Sequence, residues 1–292
     1  MADSFKTTRS NRPTVEDMIE RARNFIWLNA RTLEQRWFEH AFDGGAAHAV
    51  VQAVLAFRND DGGYGHALEP DHRGPTSQPL HVLRALQMFG EVNAPEHAEP
   101  VLAWLEATCP DGSVPFGMST SKGHPMAPWV TADDQGGLLL TSQIAAALHA
   151  LELNHPWLDR ATDYCWQEIE KLDHTHPYEL RGAVMFLDEV PDRARAELAA
   201  EKIKHLKPST EGYAEGESLP LHEYARKPSS VARTWFSEEE LENDLDELQN
   251  GQQEDGGWNF GFPAFTPITH FEWRSIATID ALLTLRRYGR IS

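Results

Sequence analysis

Apolar residues recur along this chain at intervals of three and four rather than two, so the sequence reads as a succession of helices with no convincing run of alternating strands. The first helix opens at Thr14, whose side chain can cap while Asp17 reciprocates, and places Val15, Ile19, Ala22, Phe25 and Ile26 on one face. Further helices are predicted near 32–42, 46–58, 77–90, 96–108, 141–152, 157–172, 177–189, 192–205, 237–250 and 273–288. The helix near 237–250 has its own capping signal, Ser237 with Glu240, and an apolar stripe of Leu241, Leu245 and Leu248. Connections are short except for 111–140 and 207–231. Long ordered loops in a compact domain carry function more often than short ones, so these two, with 64–75, are where chemistry is expected. The pattern predicts an all-α protein, and its 292 residues suffice for one large core over 1–292 without a second domain, 1–13 being an expected flexible segment.

Two kinds of repetition stand out. Gln252-Gln253-Glu254-Asp255-Gly256-Gly257-Trp258 ends one helix with paired glycines that supply positive φ, and Asn59-Asp60-Asp61-Gly62-Gly63-Tyr64 repeats the aromatic-capped Asp-Gly-Gly turn without the glutamine. Asp111-Gly112-Ser113 reads as a third, eroded copy. Helical hairpins in internal repeat are the expectation. The second repetition lies at predicted helix starts. Thr76-Ser77-Gln78 and Thr141-Ser142-Gln143 align without gaps, and Tyr178-Glu179-Leu180-Arg181-Gly182 parallels Phe271-Glu272-Trp273-Arg274-Ser275. These four are read as the heads of inner helices, with Thr and Ser either capping or lining a shared mouth.

The glutamine three residues ahead of Asp-Gly-Gly-Trp resembles the glutamine–tryptophan repeats of the terpenoid cyclase and protein prenyltransferase superfamily, including its squalene–hopene cyclase-like members. The resemblance implies an α/α toroid, a single barrel of inner and outer helices, and a structural role for Gln252, Asp255 and Trp258, with the glutamine bonding backbone amides at a neighbouring helix N-terminus. The Asp-x-Asp-Asp string of protonation-initiated cyclases is absent here, and so is the Asp-Asp-x-x-Asp string that holds Mg²⁺.

Charge narrows the partners. Lys and Arg total 26 against 45 Asp and Glu, a formal net charge of −19 that disfavours nucleic acid and an anionic membrane surface. An anionic substrate then needs a local cluster of Arg or helix N-termini. No apolar run is long enough to span a bilayer, and the polar N-terminus with only Cys109 and Cys165 in the chain points to a cytoplasmic protein without disulfides. Asp163 and Cys165 have the Asp-x-Cys spacing of prenyltransferase zinc sites, and His270 is a conceivable third ligand. Residues two apart on a helix diverge, however, so no metal and no cofactor are expected.

The densest ionisable segment outside a helix is Gly65-His66-Ala67-Leu68-Glu69-Pro70-Asp71-His72-Arg73. Pro70 drives Glu69 out of the helical region, which predicts an extended segment with Glu69, Asp71 and Arg73 on one side. Two poorly solvated carboxylates cannot both ionise easily, so one becomes a candidate general acid; an Arg73 lying against Asp71 would instead make the trio a loop clamp. In the acid reading Asp71 donates a proton, Glu69 tunes it and His66 relays, while Trp129 and Trp273 shield positive charge. Arg73, Asp133, Asp134, Glu272 and Arg274 complete the candidate substrate-binding set. The resulting expectation is a terpenoid cyclase-like protein with a small hydrophobic substrate, its rivals being a carbohydrate-active α/α toroid and a non-catalytic binding protein on the same fold.

Overall fold

A computed structural model describes residues 14–173, 175–206 and 219–292, so the segment 1–13 and residues 207–218 of the 207–231 loop lie outside the described residues. Among the described residues, twelve α-helices follow one another: α1 (Val15–Asn29), α2 (Thr32–Phe42), α3 (Ala47–Leu55), α4 (Pro79–Glu91), α5 (Glu99–Thr108), α6 (Leu138–Ala150), α7 (Pro156–Lys171), α8 (Pro177–Glu189), α9 (Arg193–Ile203), the single turn α10 (Leu221–Tyr224), α11 (Glu238–Asn250) and α12 (Pro267–Arg287). The only sheet among those residues is a two-residue antiparallel pair, β1 (Val114–Pro115) with β2 (Gly136–Gly137). The all-helical expectation therefore holds.

Local chemistry explains where the helices start. Thr14 with Asp17 and Ser237 with Glu240 form the expected reciprocal caps of α1 and α11. Helices α4, α7, α8 and α12 each begin on a proline, whose missing N–H removes nothing there and whose fixed φ suits a first helical residue. Two of the expected helix starts move. Thr141, Ser142 and Gln143 are buried inside the first turns of α6 instead of heading it, and Phe271–Ser275 lies within α12, which starts at Pro267 rather than near 273. The segment 178–182 likewise falls within α8, and of the four only Gln78 stands at an N-cap.

The three Asp-Gly turns are one structure used three times. Gly62, Gly112 and Gly256 have φ of +88°, +87° and +94°, a region open to glycine at no steric cost. In each, the aspartate accepts the amide two residues on: Asp61 from Gly63 at 2.9 Å, Asp111 from Ser113 at 3.2 Å, and Asp255 from Gly257 at 3.2 Å. Each also seats on the backbone of a helix from a different hairpin. A Cβ on Gly62 would lie 2.6 Å from the Pro100 carbonyl of α5, on Gly112 2.7 Å from Ala161 N of α7, and on Gly256 2.2 Å from the Arg21 carbonyl of α1. The eroded copy at Asp111 is thus a structural equal of the other two.

Packing follows the same progression. Helix α6 lies between α4 and α8 and also touches α7, α8 reaches α9 and α10, and α10 meets α11. The last helix α12 then packs on α1, α2 and α11, so the first and last helices meet. One continuous cluster of buried apolar side chains runs from Met18 to Ile291. Among the described residues, no helix is long and apolar enough to cross a membrane.

Candidate functional site

Residues 65–74 form a closed loop in place of the extended strand expected from Pro70. His66 N donates to Gly74 O at 2.9 Å, and a turn across Glu69-Pro70-Asp71-His72 is closed by His72 N on Glu69 O at 3.4 Å. Positive φ at His66 (59°) and Ala67 (63°) makes the bend. The loop is clamped from below by Arg31, which donates to Ala67 O at 2.5 Å and Leu68 O at 3.2 Å while its guanidinium holds Glu34. On its other edge it pairs with residues 125–127, Ala127 N donating to Asp71 O at 2.7 Å and Arg73 N to Pro125 O at 2.9 Å. That pairing brings Trp129 to Asp71.

The Asp71 carboxylate lies between two indoles. Trp273 Nε1 of α12 donates to one oxygen at 2.9 Å and Trp129 Nε1 to the other at 3.2 Å. Phe262 stands edge-on between these indoles, 5.1 Å from Trp273 and 6.3 Å from Trp129, with Phe260 4.6 Å beyond it. Asp71 is 4% exposed and Glu69 8%. Glu69 Oε2 accepts the Asp71 amide at 3.0 Å, and the Glu69 amide donates to His81 Nδ1 at 2.9 Å, which puts the His81 proton on Nε2.

Electrostatics divides the two carboxyls. Burial raises Glu69 to about 8, the adjacent Asp71 charge pushes the same way, and the amides of Asp71 and His72 and the Arg31 charge oppose without prevailing. Burial also raises Asp71, against the indole N–H groups and Arg73. The two indole N–H donors favour the charged Asp71 carboxylate over its acid. Of the two carboxyls Glu69 is the one more readily kept protonated, whereas the sequence pointed to Asp71 as the proton donor. His81 is held neutral, well below the usual imidazole range, by burial and by the neighbouring His72.

The remaining candidates divide by position. Arg73 does not pair with Asp71; it bonds Glu272 Oε2 at 2.5 Å, tying the loop to α12, so the clamp and the carboxylate pair are separate devices. Arg274 binds Asp255 through two hydrogen bonds of 2.6 and 2.7 Å and lies over the Phe25 ring, holding the Asp-Gly-Gly-Trp turn. Arg181 pairs with Glu223 at 2.9 Å. Neither Arg181 nor Arg274 bonds the carboxylates of the 65–74 loop. His66 is exposed with Nε2 3.1 Å from Asn59 Oδ1, and the histidines packed behind the loop are His81 and His72. Asp133 and Asp134 are turn residues at the surface accepting Gln135 N at 3.0 Å and Ser119 N at 2.7 Å. Asp163 faces solvent and Cys165 is buried with its thiol pushed up by burial, and the described residues hold no cluster of three or more His, Cys, Asp or Glu able to bind a metal.

The structural trio departs from expectation in one atom pattern. Gln252 Nε2 donates to the carbonyls of Met18 and Gly256, both at 2.9 Å, rather than its oxygen receiving helix amides. Trp258 is buried, donating Nε1 to Leu248 O at 2.7 Å and its amide to Thr278 Oγ1 at 2.9 Å. No protein-family model matches the chain, and a search of curated proteins finds no match either.

Proposed function

We propose that the chain is an α/α toroid resembling terpenoid cyclases, and that Glu69 and Asp71 perform acid-initiated chemistry on an isoprenoid or similar unsaturated substrate. Support for the closed ring comes from the repeated seating of turns: the α3 turn on α5, the α5 turn on α7 and the α11 turn on α1. Support for the chemistry comes from one observation, the Asp71 carboxylate fixed by two indole N–H groups beneath aromatic rings, beside a Glu69 that burial keeps protonated. In this reading Glu69 delivers its proton to an alkene, and the carbocation formed is stabilised by the Asp71 anion and the faces of Trp129, Trp273 and Phe262. Loss of a proton from the cyclised cation ends the reaction and restores the acid. His81 holds the Glu69 backbone and so positions the acid.

Incubation of the purified protein with farnesyl, geranylgeranyl and squalene-type substrates, with and without EDTA, is the direct assay. Metal-independent product identified by mass spectrometry and abolished in Glu69→Gln supports the reading. No product from any isoprenoid, together with binding of oligosaccharides, transfers the assignment to the carbohydrate-active alternative.

A further inference from the structure

Asp71 and Glu69 are 4% and 8% exposed, so a ligand meets either carboxyl only if part of the surrounding wall moves. Most of that wall is bonded in place. The 65–74 loop and residues 125–127 are tied together by backbone hydrogen bonds of 2.7 and 2.9 Å, Trp273 belongs to α12, and the Arg73–Glu272 pair joins the loop to that helix. Moving any of these breaks hydrogen bonds or an ion pair.

The segment 259–265, Asn-Phe-Gly-Phe-Pro-Ala-Phe, is held differently. Both of its ends are pinned. Trp258 donates its amide to Thr278 Oγ1 at 2.9 Å and its indole N–H to Leu248 O at 2.7 Å, and at the other end the amides of Thr266 and Thr269 donate to each other's hydroxyls at 2.8 and 3.2 Å. Between these anchors no group of 259–265 makes a hydrogen bond to a described residue, and the segment has no ionisable side chain with which to form an ion pair. Rings attach it to the site instead: Phe262 lies 5.1 Å from Trp273 and 6.3 Å from Trp129, and Phe260 lies 6.4 Å from Trp273 and 5.9 Å from His270. Asn259, Gly261, Pro263 and Ala264 are exposed while Phe260 and Phe262 are half-buried, so the segment runs over the surface with these rings against the site. An exposed segment without hydrogen bonds, kept in place by a few apolar contacts, is where a fold opens most easily. Glycine at 261 adds backbone freedom in its middle.

We propose that residues 259–265 form a flap, anchored at Trp258 and Thr266, that swings off Trp129 and Trp273 to admit the ligand and closes with Phe262 as the roof over Asp71. Closure excludes water, which a reactive cation requires. This inference rests on Glu69 and Asp71 being the site, but not on an isoprenoid ligand or on acid chemistry.

Carboxyl labelling of the full chain tests it without a ligand. A water-soluble carbodiimide with glycinamide converts accessible carboxyls to amides, and mass spectrometry with fragmentation reads the rate at Glu69 and at Asp71. Phe262→Ala removes the ring contacts to both indoles and should speed labelling of both carboxyls about tenfold, as loss of two ring pairs allows. Phe260→Ala should speed it by a smaller factor, and Trp27→Ala, which removes an exposed ring outside the flap, should leave the parental rate. Amide hydrogen exchange on the parent gives a second answer that needs no variant to fold. The flap amides should exchange at nearly the rate of an unfolded peptide, while the hydrogen-bonded amides of Arg73 and Ala127 are protected. Parental labelling rates in folded Phe262→Ala, or flap amides as protected as those of Arg73 and Ala127, overturn the proposal. Faster labelling in Phe262→Ala together with no product from any isoprenoid supports the flap and removes only the isoprenoid assignment.

Discussion

Asp255 and Asp71 each sit in a tight turn against α12, yet their surroundings prepare them for opposite tasks. Asp255 receives both arms of the Arg274 guanidinium and the Gly257 amide; the Arg274 hydrogen bonds above all hold its carboxyl below the usual carboxylate range, against the opposing effect of burial. It is a settled ion, and it anchors the turn that seats on α1. Asp71 has no cation bonded to it. Its partners are two neutral indole N–H groups, its nearest arginine is engaged by Glu272, and a second carboxyl lies two residues away with its proton retained. On the proposed function, the counterpart and not the residue type separates a structural aspartate from a reactive one.

A pair of asparagine substitutions tests this contrast most directly. Asp71→Asn should reduce turnover by roughly 10²–10³-fold, the range for removing one electrostatic stabiliser of the reacting charge, with a melting temperature close to the parent's. Asp255→Asn should do the opposite, leaving Arg274 buried without its countercharge and costing about 2–3 kcal/mol, below the range for a wholly buried pair because Asp255 is half exposed. A denaturation curve of Asp255→Asn that overlays the parent's would remove the case for a structural Asp255.

Trp258→Ala extends the structural arm. Truncating this buried indole should cost about 3–5 kcal/mol in chemical denaturation. A variant that melts like the parent but loses ligand binding would move Trp258 from the scaffold to the site.

Smaller, but specific to the reactive arm, is the pH dependence of stability. Glu69 has a folded-state pKa raised from 4.5 to about 8, so its contribution is present in full below the unfolded value and is lost as pH rises through the folded one. Stability should therefore decline between about pH 4.5 and 8 by up to a few kcal/mol, since a tenfold change in proton affinity is worth about 1.4 kcal/mol. Glu69→Gln should flatten that decline. Glu223 runs the other way: burial pushes its carboxyl up, but Arg181 and Arg226 outweigh this and bring it down to about 2, so its contribution is present above 4.5 and lost as pH falls toward 2. Urea melts across the acid to mildly alkaline range on the parent and Glu69→Gln check both slopes, and a parent curve with no decline above about pH 5 contradicts a protonated Glu69.

How far the sequence can be read depends on whether the interactions are local. Helix periodicity, the Thr14 and Ser237 caps, and the Asp-Gly turns are written within a few residues of one another, and all of them are present in the fold. Pro70 does keep Glu69 out of a helix, but whether the chain then extends or turns is set by Arg31 and by residues 125–127, partners distant in sequence. The start of α12 lies earlier than its apolar pattern suggests because Gly261, Pro263 and Pro267 mask the onset of the helical period, although Pro267 is a good first residue.

Helical class, turn chemistry, and the choice of Glu69, Asp71, Trp129 and Trp273 as members of one candidate site all follow from the order of residues. Their relations come only from tertiary contacts: Arg73 bonds Glu272 and not Asp71, Arg274 belongs to the Asp255 turn, and His81, not His66, stands behind the acid. The physical reason is range. Backbone preferences and caps act over three or four residues, whereas a carboxyl's ionisation depends on whichever groups the fold brings within a few ångströms, and residues 71 and 273 meet only after α12 has packed.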